Sequence, residues 1–471
     1  MVDMTAETKG SPQAFSLKAI LPTLLAIATG MFLVILDGTI MNVAIPKLVH
    51  QFNTDLKHIQ WVITGYTLAL SAVIPLAGWF SDRFSAKRAF LWSIVMFVCG
   101  SVLCSFAQTS DQLILFRIIQ GLGGGMVAPI GIAMTFQLAP PDKRGSVMGI
   151  MGLPMLLAPI LGPVLSGWII EYVNWQWIFL INLPVGVLAF FLNKKFLPSA
   201  SPSKKMKLDI KGAILAPIAF GSLVFAVHEG GTNGWSSSLT VTFLAIGVAA
   251  LFAFILVELG HKQPLLELRA FRSKDFTLGI ILAWVNMMAL FGSILLFPLF
   301  LQQVKGLSPL DAGLLVIPQA ILSSIGINVG GRLFDKFGIR PIAFVGIIST
   351  ACSLFAMTHI SVDTSTTFIV SCLAFLGLGQ GLTMMQINAH VLKSAPKELV
   401  SRVTPITTSA QQIVVSFAIT IITAYLSSQL SILPHTLDGM ADAFSQTFYI
   451  PFGLALLGLV LSFFIRKPQN R

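Results

Sequence analysis

The sequence predicts an all-α, polytopic membrane protein, and three observations carry that prediction. Of its 471 residues, 55% are hydrophobic and only 10% are charged, where a soluble domain carries about 25% charged residues; the mean hydropathy is +0.84. Apolar runs long enough to cross a bilayer, roughly 20 residues each, recur along the chain. Basic residues alternate between the segments that join those runs. The net charge of +11 therefore reports orientation in a membrane, not affinity for nucleic acid.

Taken in order, fourteen spans are expected, at about residues 18–45, 59–80, 88–107, 112–137, 146–171, 176–194, 211–228, 238–258, 276–302, 310–332, 340–359, 366–391, 403–428 and 445–465. The first run is too long for the apolar core of a signal peptide and lacks a small-residue cleavage site, so it reads as an uncleaved span. The seventh and eighth are the least distinct, separated by GGTNGWSSS (Gly230–Ser238). An even count puts both termini on one side. With the amino terminus in the cytoplasm, 26 of the 30 Lys and Arg residues fall on inner segments, three (Lys47, Lys57 and Lys305) on outer ones, and Arg117 inside a span. One span more or fewer would destroy that alternation. The four cysteines, Cys99, Cys104, Cys352 and Cys372, form no CxxC pair and lie in apolar runs. They read as small buried hydrophobes, not as a metal site or a disulfide framework.

The chain echoes itself. GWFSDRFSAKR (Gly78–Arg88) follows the second span, and GRLFDKFGIRP (Gly331–Pro341) follows the tenth. Each half also holds a glycine-rich helix, QGLGGG (Gln120–Gly125) and GLGQG (Gly377–Gly381). Repeated halves are a hallmark of secondary transporters. The expected organisation is a cytoplasmic tail (1–16), a six-helix bundle (17–197), a cytoplasmic linker (198–210) and two additional helices (211–258). A second linker (259–275), a second six-helix bundle (276–465) and a short tail (466–471) complete it. The fold class is thus fourteen transmembrane helices, two pseudo-symmetric bundles with a helix pair inserted between them.

Individual residues narrow the chemistry. Asp37, in LVILDGTIMN (Leu33–Asn42), is the only acid well inside an expected span; an isolated ionised carboxylate in hydrocarbon is costly and marks a functional position. Arg117 lies five residues into the fourth span and must face protein or a water-filled cavity; snorkelling to the outer surface is the alternative. Gln120, Gly121, Gly124 and Ala128 share its helix face. The charged loops Gly78–Arg88 and Gly331–Arg340 are short enough for their charges to pair with each other and with helix ends, which suits a gate built from Gly78, Asp82, Arg83, Lys87, Arg88, Asp335 and Arg340. In the fifth span, Pro154, Pro159 and Pro163 imply kinks, and Ala158, Gly162 and Ser166 form a small-residue stripe whose direct reading is a packing seam. A scatter of flexible and polar residues, Met287, Met288, Phe291, Gln319, Met384, Gln386 and Gln411, together with Asp37 and Gln120, suits a tolerant substrate pocket. Enzyme signals fail: His228-Glu229 starts no HExxH motif, no GxSxG is present, and the glycine runs lack the Lys-Ser/Thr of a phosphate loop. Interface solvation is the reading for His228 and Glu229. No metal site is expected.

These residues resemble a known family, the 14-span drug:proton antiporters of the major facilitator superfamily. Gly78–Arg88 looks like its signature loop, with Ser85 where glycine is usual. Leu36–Pro46 resembles the first-span motif, and Arg117-Ile-Ile-Gln120-Gly121 the fourth-span arginine motif. Ala158–Gly167, with Pro159, Gly162, Pro163 and Gly167, looks like the fifth-span antiporter motif, with serine for one glycine. Trp175–Pro184 resembles the sixth-span signature, with Gln176 where arginine is common. The resemblance implies alternating access and efflux driven by the proton gradient, without ATP or another cofactor. Asp37 would then carry the proton and meet a cationic drug, and Arg117 would tune it. The expected partners are protons, an amphipathic or cationic small molecule and the lipid bilayer, with no nucleic acid; a monomer in the inner (cell) membrane suffices. The alternatives are a proton-coupled nutrient symporter, an exporter of a lipid or endogenous metabolite, and a non-transport membrane protein.

Overall fold

The computed structural model describes residues 17–198, 208–396, 399–434 and 436–465. The expected terminal tails, most of the 198–210 linker and Lys397 lie outside them. Every regular element among the described residues is a helix. We number the long ones α1 (Leu17–Phe52), α2 (Trp61–Phe84), α3 (Ala86–Ser105), α4 (Ser110–Leu138), α5 (Arg144–Tyr172), α6 (Trp177–Phe196), α7 (Ile210–Asn233), α8 (Ser238–Gly260), α9 (Lys274–Gln303), α10 (Asp311–Phe337), α11 (Ile339–Met357), α12 (Thr366–Lys393), α13 (Val400–Ile432) and α14 (Leu437–Phe464). Among the described residues, thirteen are each long and apolar enough to cross a membrane. The proline-rich α5, bent by 40° between Arg144–Pro159 and Val164–Tyr172, is the fourteenth.

The helix boundaries follow from local chemistry. Thr109, Ser273, Ser365 and Thr436 each accept a backbone N–H from the first turn of the helix they precede, the usual cap for an orphaned donor. Pro75 interrupts α2 with a single 3₁₀ turn over Ile74–Leu76. Two expectations need correction. The Gly78–Arg88 stretch is not a loop: α2 stays helical to Phe84 and α3 begins at Ala86, so only Ser85, at φ 80°, breaks the chain. Gly338, at φ 79°, makes the equivalent break between α10 and α11. Likewise α7 continues through Gly230 to Asn233, and much of the stretch read as a loop after it is helix.

The packing repeats. In the first half α1 lies on α5 and α6, α2 on α4, and α3 on α4 and α6; in the second, α9 lies on α13 and α14, α10 on α12, and α11 on α12 and α14. The halves meet where α5 packs on α10 and α12, and α13 on α2 and α4. The inserted α7 and α8 pair with each other, and α7 leans on both α2 and α13. Large apolar side chains such as Trp92, Leu115, Phe191, Val248, Phe252, Val345 and Phe375 are exposed around the outside, the inverse of a soluble protein and the arrangement a lipid solvent requires. Cys99 and Cys352 are exposed too, against the expectation of burial; Cys104 and Cys372 are buried. The side where α1 begins and α2 ends carries most of the basic residues and is called the basic face below.

Candidate functional site

Asp37 and Arg117, 80 residues apart in sequence, meet inside the first bundle. Asp37 is 1% exposed and Arg117 fully buried. Arg117 Nη1 donates to Asp37 Oδ2 at 2.5 Å. The other carboxylate oxygen accepts from Gln120 Nε2 at 2.9 Å and from Asn182 Nδ2 at 2.7 Å. The arginine is held on three further sides. Its Nε donates to the Val62 carbonyl on α2 at 3.3 Å, Nη1 also donates to Gln120 Oε1 at 2.8 Å, and the guanidinium lies 3.9 Å over the Tyr66 ring, a cation–π contact strengthened by the absence of water. Asn182, on α6, donates further to Ser101 Oγ on α3 at 2.9 Å. Five helices of one bundle thus converge on a single carboxylate.

Such a site is electrostatically conditional. Two charges removed from water are tolerable only while they face each other with their remaining polar atoms satisfied. Among the described residues, Arg117 Nη2, Asn182 Oδ1 and Tyr66 Oη have no protein partner. Neutralising Asp37 with a proton would leave Arg117 as an uncompensated buried cation, so the two protonation states favour different surroundings.

The fifth-span residues abut this centre. Thr39 Oγ1 donates to the Ala158 carbonyl of α5 at 3.3 Å. A Cβ on Gly162 would lie 2.8 Å from Thr39 Cβ, so a side chain there would push α5 off the α1 turn that carries Asp37. Pro159 is half-buried beside it. Gly167, by contrast, has nothing within 4 Å of where its Cβ would be, and Pro163 lies between the two arms of the bent helix.

The residues proposed as a pocket divide. Met287 and Met384 are buried together with Leu290 and Ile327, and Phe291 packs against them beside Leu153 and Met155 of α5. Gln411 Nε2 lies 3.1 Å from Met287 Sδ. This apolar, sulfur-rich cluster sits where the halves face each other. Met288 is only half-buried. Gln319 is buried, and its backbone carbonyl lies against Gly377 of α12. Gln386 bonds main chain: the orientation that satisfies both ends of its amide donates to the Leu382 carbonyl at 3.1 Å and accepts from Gly331 N at 3.0 Å. Gln120 is committed to Asp37.

At the basic face, the two carboxylates of the repeated motif reach across between the halves. Asp335, at the end of α10, accepts from Gly145 N at 2.7 Å, from Ser146 N at 3.0 Å and from Ser146 Oγ at 2.5 Å. It caps the start of α5 from the opposite bundle, where a carboxylate also meets the positive end of the helix dipole. Asp82, at the end of α2, accepts from Arg402 Nε near the start of α13 at 3.3 Å. Gly78 and Gly331 sit at the same two crossings, where a Cβ would lie 2.6 Å from the Ser401 carbonyl oxygen and 2.8 Å from the Gly145 carbonyl oxygen. Lys87 Nζ donates to the Leu197 carbonyl at 2.6 Å. Arg83, Arg88 and Arg340 are exposed.

Asn182, Ser101, Tyr66 and Arg402 were not singled out from the sequence for these roles. The one available signal was Asn182, a lone amide in the apolar run WIFLINLP (Trp177–Pro184). The reading of Glu229 as a solvated edge residue needs correction: it is 9% exposed, between α2 and α7.

Comparison with known proteins adds the family. The model of the Major Facilitator Superfamily matches residues 27–419. A protein of Listeria innocua named lincomycin resistance protein LmrB is 32% identical over 476 residues, covering 99% of this chain and all of its own length. A Mycobacterium tuberculosis protein named multidrug resistance protein B homolog is 33% identical over 399 residues, covering 84% of this chain and 74% of itself. Among solved structures, the proton:xylose symporter XylE superposes with a TM-score of 0.68 over 96% of this chain and 97% of its own, at 15% identity, which is a likeness of fold.

Proposed function

The chain belongs to the Major Facilitator Superfamily, a family of membrane transporters rather than enzymes, and from that premise we propose that it exports amphipathic or cationic drugs by exchanging them for protons. The observation that carries the proposal is the buried Asp37–Arg117 pair. A carboxylate with two amide donors and one cationic partner can take up a proton only when that partnership loosens. An incoming cationic substrate supplies the replacement charge. Relatives named for lincomycin and multidrug resistance support a drug as the cargo. Met287, Phe291 and Met384 offer the adaptable apolar surface that a tolerant pocket uses. The gradient supplies roughly 2.3 kcal/mol per 100 mV for each charge moved, plus its pH component, so no nucleotide is required. The basic face is cytoplasmic in this proposal, with both termini there, and one chain in the cell membrane is the functional unit.

Everted membrane vesicles test it. Acidifying the lumen should drive accumulation of lincomycin or ethidium by the wild type, with collapse of the pH gradient releasing the probe. Accumulation that requires an alkaline lumen, or none with any probe of a broad drug panel, would overturn the antiport reading.

A further inference from the structure

Between the starts of α2 and the end of α7, away from the basic face, lies a cleft of about 370 Å³. It is the inserted helix pair that closes it, since α7 is one of its two walls. Its lining residues are polar apart from one aromatic: Gln60 just before α2, Trp61 and Thr64 from α2, and His228, Glu229 and Thr232 from α7, with Asn233 at the end. Glu229 has no Lys or Arg within ion-pair distance among the described residues; one carboxylate oxygen accepts from Asn233 Nδ2 at 2.6 Å. The neighbouring imidazole is committed elsewhere, with His228 Nε2 at 3.0 Å from Thr64 Oγ1. Trp61 remains 38% exposed and is backed by Phe225, ring centroids 5.7 Å apart.

We propose that this cleft is a second binding site, for an ammonium group borne on a small apolar body. Glu229, 9% exposed and with no Lys or Arg beside it among the described residues, is the anionic side chain lining the cleft, and a cation balances it. Hydroxyl and amide oxygens on both walls accept the ammonium N–H bonds. The indole face of Trp61 adds cation–π attraction, which is worth most for just such ligands. A metal ion fits less well: among the described residues no group of three His, Cys, Asp or Glu side chains is placed to hold one. The site is distinct from the Asp37 centre yet adjoins it. Trp61 and Thr64 flank Val62, whose carbonyl accepts from Arg117, so one turn of α2 separates the two. A soluble amine and a phosphatidylethanolamine headgroup both carry this ammonium chemistry, and the lipid composition of the test separates them, since the cleft lies between two membrane-spanning helices.

The test is calorimetric titration of the full chain in nanodiscs with benzylammonium, with benzyl alcohol as its neutral counterpart. Glu229→Gln is nearly isosteric, and Trp61→Leu alters a side chain already exposed, so either variant serves if the other folds poorly. In phosphatidylcholine discs, each should weaken benzylammonium about tenfold, roughly 1.4 kcal/mol, and leave benzyl alcohol unaffected. Weaker binding in discs containing phosphatidylethanolamine would assign the cleft to the headgroup; equal binding in both would assign it to soluble amines. Unchanged affinity in Glu229→Gln and Trp61→Leu, or absence of wild-type binding, would overturn the site. The readout is binding, not transport, at residues outside the Asp37 centre, so failure here leaves the antiport reading standing, and failure of antiport leaves this site standing.

Discussion

Asp37 and Arg117 hold each other in place, and the energetics of that pair yield the first expectations. Removing one partner of a buried ion pair typically costs about 3–5 kcal/mol, because the other is left charged and dry. Arg117→Met alone should therefore lower the melting temperature sharply, and so should Asp37→Leu. The double replacement should cost clearly less than the sum, a coupling that a double-mutant cycle measured by detergent melts will reveal; strict additivity would mean the pair is not coupled. Arg117→Lys keeps the charge but loses the fork that serves Asp37, Gln120 and Val62 together, so it should retain partial transport where Arg117→Met retains little. The pairing was legible in the sequence because two charges in apolar runs leave few ways to be satisfied. Asn182 and Ser101 were not, since single amides and hydroxyls occur in many spans and only the assembled helices show which of them aim at the carboxylate.

Among the elements, the α1–α5 contact and the α2–α3 break are the informative ones. Gly162→Val would drive a branched side chain into Thr39, at a cost of about 1–3 kcal/mol for overpacking. Gly167→Val enters open space and should leave the melting temperature near wild type. If both melt alike, close packing on the Asp37 turn is not what Gly162 provides. Ser85 holds a left-handed backbone, φ 80°, where Gly338 stands in the second half. Ser85→Gly should relieve strain and raise stability by about 1 kcal/mol, read as an upward shift in melting temperature; a downward shift would contradict it. Span number and approximate position were readable from hydropathy together with the alternation of basic residues. The ends of α2 and α7 were not, because amphipathic helix at a membrane edge carries the same polar residues as a loop, and its burial depends on a helix distant in sequence.

Across the whole molecule, the two halves are tied at the basic face by a pair of equivalent contacts, Asp335 onto the start of α5 and Asp82 onto Arg402. The repeat in the sequence pointed to these carboxylates. Their partners lay 190 and 320 residues away, beyond what any local pattern shows, and the accompanying basic residues proved peripheral. Asp335→Ala removes a cap worth about 1 kcal/mol, which corresponds to roughly a fivefold shift toward a state open at that face. A cysteine placed at the buried Thr407, in a chain otherwise free of cysteine, should label correspondingly faster from the basic side, and an unchanged rate would show that the contact does not restrain opening. Opening and closing matter only if they are joined to protonation at Asp37. Substrate-induced proton release from purified protein in weakly buffered detergent measures that junction. Wild type should release protons on adding ethidium or lincomycin in proportion to substrate bound, while Asp37→Asn, checked for folding, should release none. Normal release by the Asp37→Asn protein would contradict a coupling role for this carboxylate.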